Sequence, residues 1–328
     1  MVARSSSARE IERAVGALGR GELVAFPTET VYGLGADASN PDAVRRLYAA
    51  KERPADHPVI VHVARAAQLD ALAHDVPDLA RALADACWPG PLTLVVARNA
   101  ERVAPEVTGG RATVGLRVPD HPLALAFLDA FGGGVAAPSA NRFGKVSPTT
   151  AAHVQADLGS DVAVVLDGGP CRVGIESTIV DVTGPEPAIL RLGGVSRAQI
   201  EHITGCRTVV RTGGEIAAPG TLESHYAPLA TVEMIHRAEI GTRAGELLTA
   251  DRRVGVLALR QPVDSTELLP DQLVILDPPR DVDEYARVLY ARLRDADELG
   301  LEVLLVVTPA ETDGLGAAVA DRVRRAGG

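Results

Sequence analysis

The stretch NPDAVRRLYAAKERPADHPVIVHV, residues 40–63, contains a helix signal followed directly by a strand signal. Asn40 and Pro41 are typical of a helix N-cap and first helical position, and apolar residues then recur at helical spacing. Prolines at 54 and 58 predict that this helix ends near Lys51. The run VIVHV at 59–63 is short, apolar and β-branched, which indicates a buried strand. A helix leading directly into a buried strand is typical of an α/β fold.

The same alternation continues on both sides of this stretch until about residue 207, which predicts a single α/β domain over 1–207. Apolar runs predict the strands, and helical spacing with capping residues predicts the helices. The predicted strands are 23–26, 59–63, 92–96, 113–118, 135–137, 163–167, 177–182 and 188–192, and the predicted helices are 7–19, 41–51, 66–86, 121–131 and 148–158.

The composition changes after this domain. Residues 208–230 are rich in Gly, Ala and Pro and have no hydrophobic period, which is typical of a linker. Four apolar runs (TVEMI, VGVLAL, LVILD and EVLLVV) then alternate with helical patterns. This alternation predicts a smaller, parallel, doubly wound α/β domain over 231–328.

Bulk composition excludes several classes of protein. The chain has 328 residues and a formal net charge of −10, which disfavours non-specific binding to nucleic acid or to an anionic membrane. No apolar run approaches the roughly 20 residues needed to span a bilayer. Three widely spaced cysteines match neither a disulfide framework nor a metal knuckle. We expect a cytoplasmic protein.

Several catalytic motifs are absent or lack their structural context. GLGADA at 33–38 fits a dinucleotide-binding glycine pattern, but PTETVY separates it from the preceding strand. GLGAAV at 314–319 predicts a helix start and breaks the same pattern at its last position. No P-loop or nucleophile elbow occurs, and His57 and His62 do not have the spacing of a helical zinc motif. The sequence therefore gives little reason to expect a dinucleotide enzyme, a P-loop ATPase or a zinc hydrolase.

The remaining polar clusters lie at the ends of predicted strands, where α/β folds bind their ligands. They are PTETVYG at 27–33, KER at 51–53, PSAN at 138–141 and EST at 176–178, together with single arginines at 117 and 191. Taken singly, each has an ordinary explanation as a turn, a helix start or a paired arginine. Together they predict a pocket for a polyanion and a small acid, because ammonium suits phosphate and guanidinium suits carboxylate or phosphate.

In chain order, FPTETVYGLGADA, KERP with HPVIVH, WPGPLTLV, TVGLRVP, APSANRFGKVSPT, GIESTIVD and ILRLG resemble the YrdC/Sua5 family of threonylcarbamoyl-AMP synthases. The part from APGTLESHYAP onward is similar to the C-terminal extension of the longer Sua5 type. The resemblance implies a twisted, YrdC-like N-terminal domain and a smaller Rossmann-like C-terminal domain. It also implies synthesis of threonylcarbamoyl-AMP and pyrophosphate from L-threonine, bicarbonate and ATP, for the t6A37 modification of tRNA.

The resemblance further implies which residues form the site. Lys51 and Arg53 would be the catalytic cations, and His225 and Tyr226 would close over the site as a lid. Mg²⁺ would arrive with ATP rather than on protein ligands, and separate proteins would transfer the product to tRNA, with weak or no direct tRNA binding by this chain. Threonine would be held by Thr30, His62, Arg117, Ala137 and Ser177, and ATP by Lys51, Arg53, His57, Thr113, Ser139, Asn141, Ser147, Arg191, His225 and Tyr226.

Two other functions stay open at the level of sequence. A YrdC-like domain could bind RNA or act as a regulator, although the net charge of −10 and the few aromatic residues disfavour a nucleic-acid surface. A carbamoyl-transfer enzyme could use the same fold, although such chains usually carry additional metal-binding modules.

Overall fold

The computed structural model describes residues 2–211, 226–260, 270 and 272–328, with side chains from residue 8 onward. The described residues form two β-sheets, one of ten strands and one of four. Helices pack against both sheets, as the α/β prediction requires. In this part of the chain, no helix is long and apolar enough to cross a membrane.

The larger sheet is mixed and contains all strands up to residue 210. Its strand order is β10-β9-β8-β4-β5-β3-β6-β2-β1-β7. β3 and β5 run parallel, whereas β6 runs antiparallel to both of its neighbours, β3 and β2. The strands are β1 (Val24–Phe26), β2 (Gly33–Asp37), β3 (Ile60–His62), β4 (Leu92–Ala97), β5 (Thr113–Arg117), β6 (Val135–Ala136), β7 (Val164–Val165), β8 (Thr178–Asp181), β9 (Ala188–Arg191) and β10 (Val209–Val210).

Seven α-helices accompany this sheet, and the second of them confirms the prediction from residues 40–63. The Asn40 side chain accepts hydrogen bonds from the backbone N–H groups of Asp42 and Ala43, and the helix ends at Lys51, before Glu52 in left-handed backbone. The helices are α1 (Val2–Gly19), α2 (Pro41–Lys51), α3 (Leu69–Leu72), α4 (Asp78–Cys87), α5 (Pro122–Phe131), α6 (Ala151–Leu158) and α7 (Arg197–Thr204).

One local prediction was wrong, and one strand was not predicted. The helix predicted over 66–86 is broken, because Asp75 has a positive φ of 46° and Pro77 forms the N-cap of a new helix, α4. The glycine-rich 33–38 segment mostly forms a strand, β2, that pairs antiparallel with β1. Only glycine fits at position 35, because a Cβ atom there would lie 2.7 Å from the Val135 side chain.

The smaller sheet confirms the parallel C-terminal domain. Its four strands, β11 (Thr231–Met234), β12 (Val254–Leu257), β13 (Val274–Ile275) and β14 (Val303–Val306), are all parallel in the order β11-β14-β12-β13. The accompanying helices are α8 (Ile240–Thr249), α9 (Val282–Glu298) and α10 (Gly314–Ala326), and α10 begins at the predicted helix start.

The two sheets are joined by a common apolar core. Val31, Val146 and Ile175 of the larger unit belong to the same buried cluster as Tyr226 and Tyr290. All five side chains are less than 9% exposed. The C-terminal domain therefore covers apolar surface that lies next to the strand ends of the larger sheet.

We expect a chain truncated after residue 211 to be less stable than the full chain. Truncation exposes Val31, Val146 and Ile175, and the loss of their burial lowers the free energy of unfolding by about 5 kcal/mol. This corresponds to a fall in Tm of roughly 10 °C or more. Circular dichroism on both chains measures the shift. An unchanged Tm, with full activity in the truncated chain, would contradict a structural role for the C-terminal domain.

Candidate functional site

A cavity that opens to solvent lies where several strands of the larger sheet end, and the empty space between its walls, including the solvent at its mouth, is about 550 Å³. The loops after β1 and β6, the ends of β3, β5 and β9, and the residues before β8 all contribute to its wall. The lining residues are Thr28, Thr30, Val31, Gly33, Arg53, Ile60, His62, Arg117, Ala137, Pro138, Ser139, Glu176, Arg191 and Tyr226.

His62 and Arg117 are brought together by the parallel pairing of β3 with β5, in which they are register partners. His62 is buried, and its ring lies edge-on to Phe26 with the ring centroids 5.6 Å apart. Burial, reinforced by the positive charge of Arg117, lowers the pKa of His62 to about 3. Within the described residues, His62 Nδ1 has no hydrogen-bond partner. The site therefore contains a neutral imidazole with an unused nitrogen.

We expect a His62→Gln variant to lose less stability than the wild type as the pH is lowered. The folded-state pKa of about 3 lies below the ordinary value of 6.5, so the unfolded chain takes up the proton first. The wild type therefore loses stability as the pH falls below 6.5. Between pH 7 and pH 5 this loss is about 2 kcal/mol. Urea unfolding of both proteins at the two pH values measures it, and an identical pH dependence would contradict a buried neutral His62.

Arg117 is buried and anchored on one side. Its Nη2 donates to Glu29 Oε1 at 2.6 Å, and its Nε donates to the carbonyl of Gly90 at 3.2 Å. Glu29 also accepts from the backbone N–H of Asp120 at 3.0 Å, which fixes the carboxylate. The remaining nitrogen, Nη1, has no partner in the described chain. The guanidinium is thus held in place with donor capacity left over for an anion.

The loop after β1 presents two threonine hydroxyls that hydrogen-bond to each other. Thr28 Oγ1 and Thr30 Oγ1 are 2.8 Å apart, and Thr28 Oγ1 also accepts from the N–H of Thr30 and of Val31. Both side chains are at most 2% exposed and line the cavity. These bonds fix the hydroxyls before any ligand is present.

Lys51 lies behind the cavity wall. It is 1% exposed, and its ammonium donates to the carbonyls of Ser139 and Asn141 in the PSAN loop. Burial, with a contribution from the charge of Arg53, lowers the pKa of Lys51 well below its ordinary value. The structure therefore places this ammonium where it holds the loop that carries Ser139, and does not place it at the cavity surface.

Arg53 does reach the cavity. Its guanidinium lies over the Phe143 ring at 5.5 Å from the centroid, and its Nη2 donates to the Pro58 carbonyl at 3.1 Å. Arg53 Nε has no hydrogen-bond partner among the residues described. His57 also packs against Phe143, with the ring centroids 5.6 Å apart, and burial, with a contribution from the charge of Arg53, lowers the pKa of His57. Phe143 thus contacts both Arg53 and His57.

Arg191 and Ser177 form a second cationic corner. Arg191 donates from Nε to the Ser177 carbonyl at 3.0 Å and from Nη2 to its hydroxyl at 3.1 Å. That hydroxyl is also 2.8 Å from Thr93 Oγ1. Arg191 lines the cavity, whereas Ser177 supports it from behind.

Glu176 is a buried carboxylate at the same corner. It accepts from Ser147 Oγ at 2.7 Å, from Tyr290 OH at 2.8 Å and from Arg322 Nε at 2.9 Å. Burial alone would raise the pKa of Glu176, but the charges of Arg322 and Arg191 outweigh it and hold the pKa at about 2. The carboxylate is therefore ionised at neutral pH.

Tyr226 closes the wall of the cavity on the side of the C-terminal domain. Its φ of 66° is left-handed, and its ring stacks on Tyr290 with the centroids 5.4 Å apart. Burial, together with the charge of Glu176, raises the pKa of Tyr226 to about 12. His225, the other half of the predicted lid, lies outside the described residues.

The structure brings eight predicted site residues to the cavity and places six others elsewhere. Lys51, Asn141, Ser147 and Ser177 are buried behind the wall, and His57 packs against Phe143 without lining the cavity. Thr113 lies at the far end of β5 from Arg117, about 13 Å along the strand. The residues at the cavity are Thr30, Arg53, His62, Arg117, Ala137, Ser139, Arg191 and Tyr226.

Sequence reasoning did not single out Glu29 or Glu176 as site residues, although both belong to motifs that it recognised. Each acid lies in a short segment rich in hydroxyl side chains, PTET for Glu29 and EST for Glu176. That position could have marked both acids as candidate site residues. Both carboxylates are at most 6% exposed, and each bonds a buried arginine. Such acids are expected wherever an arginine must be held inside a protein.

Comparison with known proteins finds family models that match both parts of the chain. The Sua5_yciO_yrdC family model, described as telomere recombination, matches residues 16–193. The chain belongs to the Sua5/YciO/YrdC family. The model for the C-terminal domain of threonylcarbamoyl-AMP synthase matches residues 195–328, which is the part that distinguishes the longer Sua5 type.

Two curated members of the family cover almost the whole chain. The threonylcarbamoyl-AMP synthase of Pyrococcus abyssi is 41% identical over 97% of this chain and 94% of its own length. That of Bacillus subtilis is 38% identical over 99% of this chain and 94% of its own length. The solved structure of P. abyssi Sua5 complexed with L-threonine superposes with a TM-score of 0.88, at 40% identity, over 97% of this chain and 94% of that one. Both Sua5 domains are therefore present.

Proposed function

We propose that this member of the Sua5 family synthesises threonylcarbamoyl-AMP and pyrophosphate from L-threonine, bicarbonate and ATP. The observation that supports the proposal most strongly is the anchored guanidinium of Arg117, which keeps Nη1 available beside neutral His62 and two ordered threonine hydroxyls. This combination suits a small amino acid with a carboxylate and a hydroxyl. The synthase names of the relatives point to the same substrate class.

The proposed reaction has two bond-forming steps. The threonine amine attacks the carbon of CO₂ derived from bicarbonate, forms an N–C bond and loses a proton, which gives a carbamate. A carbamate oxygen then attacks the α-phosphorus of ATP and displaces pyrophosphate as the Pα–O bond breaks. The enzyme is in this proposal a nucleotidyltransferase. Because the substrate supplies the nucleophile, the protein needs only to position reactants and stabilise charge.

The side chains divide into two groups along the cavity. Arg117 would bind the threonine carboxylate, and Thr30 and His62 would contact its hydroxyl and amine. Arg53 and Arg191, which also line the cavity, would face the phosphates and stabilise the charge that develops on pyrophosphate. Ser139 and Ala137 line the cavity too and would contact the joined product.

Water must be kept from the carbamate and from the mixed anhydride, since both hydrolyse readily. Tyr226, fixed by its stack on Tyr290, forms one wall of the cavity and would exclude water on that side. Mg²⁺ would arrive bound to ATP, as the family resemblance implies. No step above depends on the metal.

The product identifies the reaction directly. Incubating the full chain with ATP, L-threonine and ¹³C-bicarbonate should give a nucleotide product one mass unit heavier than the unlabelled product, and its fragments should contain threonine and AMP. A threonine-free product, or a product without the label, would contradict the proposal. L-Serine, which lacks the methyl group, is a matched control and should react more slowly.

Two functions open at the sequence level find less support. A nucleic-acid surface has no specific observation in its favour, and the relatives that cover the whole chain are named as synthases. A carbamoyl-transfer enzyme would need a site for carbamoyl phosphate rather than for an amino acid. We propose that the adenylate made here passes to cytoplasmic proteins that transfer the threonylcarbamoyl group to tRNA.

A further inference from the structure

The C-terminal helix α10 reaches the cavity through one fully buried arginine. Arg322 is 0% exposed, and its Nε donates to Glu176 Oε2 at 2.9 Å. Its Nη2 donates to the Leu192 carbonyl at 2.8 Å, just after β9. Its guanidinium also lies 5.5 Å from the centroid of the Tyr226 ring. One side chain of the second domain thus contacts two residues of the cavity wall, Glu176 and Tyr226, and the backbone next to a third, Arg191.

The buried charges alternate from the cavity into the C-terminal domain. Arg191 and Glu176 line the cavity, and Arg322 lies behind Glu176. Asp321 bonds Arg322 Nη1 at 2.8 Å, but it is also bonded by Arg325 at 3.0 Å, so its charge is balanced within α10. Arg191, Glu176 and Arg322 together therefore carry one net positive charge at this corner of the cavity.

Without Arg322, that charge would change. Glu176 would be left with Arg191 as its nearest cation, and the two would neutralise each other. Arg191 would then offer less attraction to a polyanion in the cavity. Burying an uncompensated carboxylate is also unfavourable, so Glu176 would be drawn toward Arg191 or toward water.

We propose that Arg322 is a positioning residue that neutralises Glu176, and that it thereby keeps the charge of Arg191 available for the phosphates of ATP. The C-terminal domain is in this account an electrostatic part of the reaction site. The inference rests on the proposed function for its substrate. Arg322 acts through Glu176 and Arg191 and does not contact the substrate itself.

The test is a charge-compensating double substitution. Arg322→Met should raise the KM for ATP about tenfold and leave the KM for threonine within about threefold of wild type. Adding Glu176→Gln to that variant removes the uncompensated carboxylate and restores one positive charge at the corner. The double variant should therefore return to within about threefold of the wild-type KM for ATP. A role in packing alone would leave the double variant as impaired as the single one, or more so.

Controls separate charge from folding. Arg324→Met removes the same charge from the same helix at a position that is 64% exposed. Arg324 lies 3.7 Å from Asp321, which keeps its closer partner Arg325 at 3.0 Å, so both KM values should stay unchanged. If Arg322→Met does not fold, the double variant alone decides: a KM for ATP raised tenfold overturns the proposal, and a wild-type value supports it. An unchanged KM for ATP in a folded Arg322→Met variant also overturns it.

A direct binding measurement distinguishes this proposal from the proposed function. Calorimetric titration of the full-length proteins with ATP, without threonine, measures ATP affinity alone. Arg322→Met should bind ATP more weakly than the wild type, whereas the double variant and Arg324→Met should bind it nearly as tightly as the wild type. If the wild type binds ATP but releases no pyrophosphate with threonine and bicarbonate, the proposed function fails. The affinities of the Arg322 variants would then still decide whether Arg322 tunes the anion site.

Discussion

An Arg117→Gln variant should need between about 10 and 100 times more L-threonine than the wild type, with a much smaller change in the KM for ATP. Hydrogen bonds to charged groups contribute about 1.5–3 kcal/mol, and each 1.4 kcal/mol corresponds to a factor of ten. Gln lacks the charge and cannot donate two parallel hydrogen bonds to a carboxylate, as a guanidinium can. Steady-state pyrophosphate release at varied threonine and saturating ATP measures the change.

The same substitution leaves Glu29 buried without its cation, so the stability must be controlled. Arg117→Gln should be destabilised by about 3 kcal/mol or more. The double variant Arg117→Gln with Glu29→Gln should regain much of that stability, because no buried charge is left unpaired, yet it should not regain threonine affinity. Arg81→Gln, which breaks the exposed pair between Arg81 and Asp70, should change neither quantity. Wild-type threonine kinetics in the folded double variant would contradict the assignment of Arg117.

A Lys51→Met variant should lose at least about 100-fold in kcat/KM, and it should lose it for both substrates. The ammonium holds the carbonyls of Ser139 and Asn141, and Met can donate to neither. Each buried carbonyl left unpaired costs about 1–3 kcal/mol. Pro138 and Ser139 of this loop line the cavity, so displacement of the loop should affect threonine and ATP together.

The chain contains its own matched control, since Lys145 is the only other lysine and its side chain is exposed. Lys145→Met removes the same charge and should leave stability and kinetics unchanged. The family resemblance implied that Lys51 contacts ATP, whereas in the structure its ammonium donates to two backbone carbonyls. A loss in Lys51→Met confined to the KM for ATP, with unchanged stability, would support direct phosphate contact and contradict the loop-holding role.

Local signals predicted most of the fold. The Asn40 cap, the proline break and the apolar run to His62 gave α2 and β3 correctly, since caps and hydrophobic period act within a few residues. β2 was missed because its glycines resemble a nucleotide motif and its strand character depends on pairing with β1 and β6. The break in helix 66–86 was missed although Pro77 marks it.

The sequence predicted that the site lies at the ends of several strands. It did not predict which charged side chains bond one another there. Strand pairing brings together His62 and Arg117, which the sequence had already marked as polar residues in apolar runs. The contact between Glu176 and Arg322 spans 146 positions and two domains. No local pattern predicts such a pair, because it depends on how α10 packs against the larger unit.

Pyrophosphate release from ATP, with L-threonine and bicarbonate omitted in turn, tests the central claim most directly. We predict release only when both are present, because the carbamate that attacks ATP forms from the two together. Release that continues without threonine would contradict adenylation of a threonine carbamate and would indicate a different acceptor in the cavity. A folded, ATP-binding chain that releases no pyrophosphate under any of these conditions would contradict the enzymatic function itself.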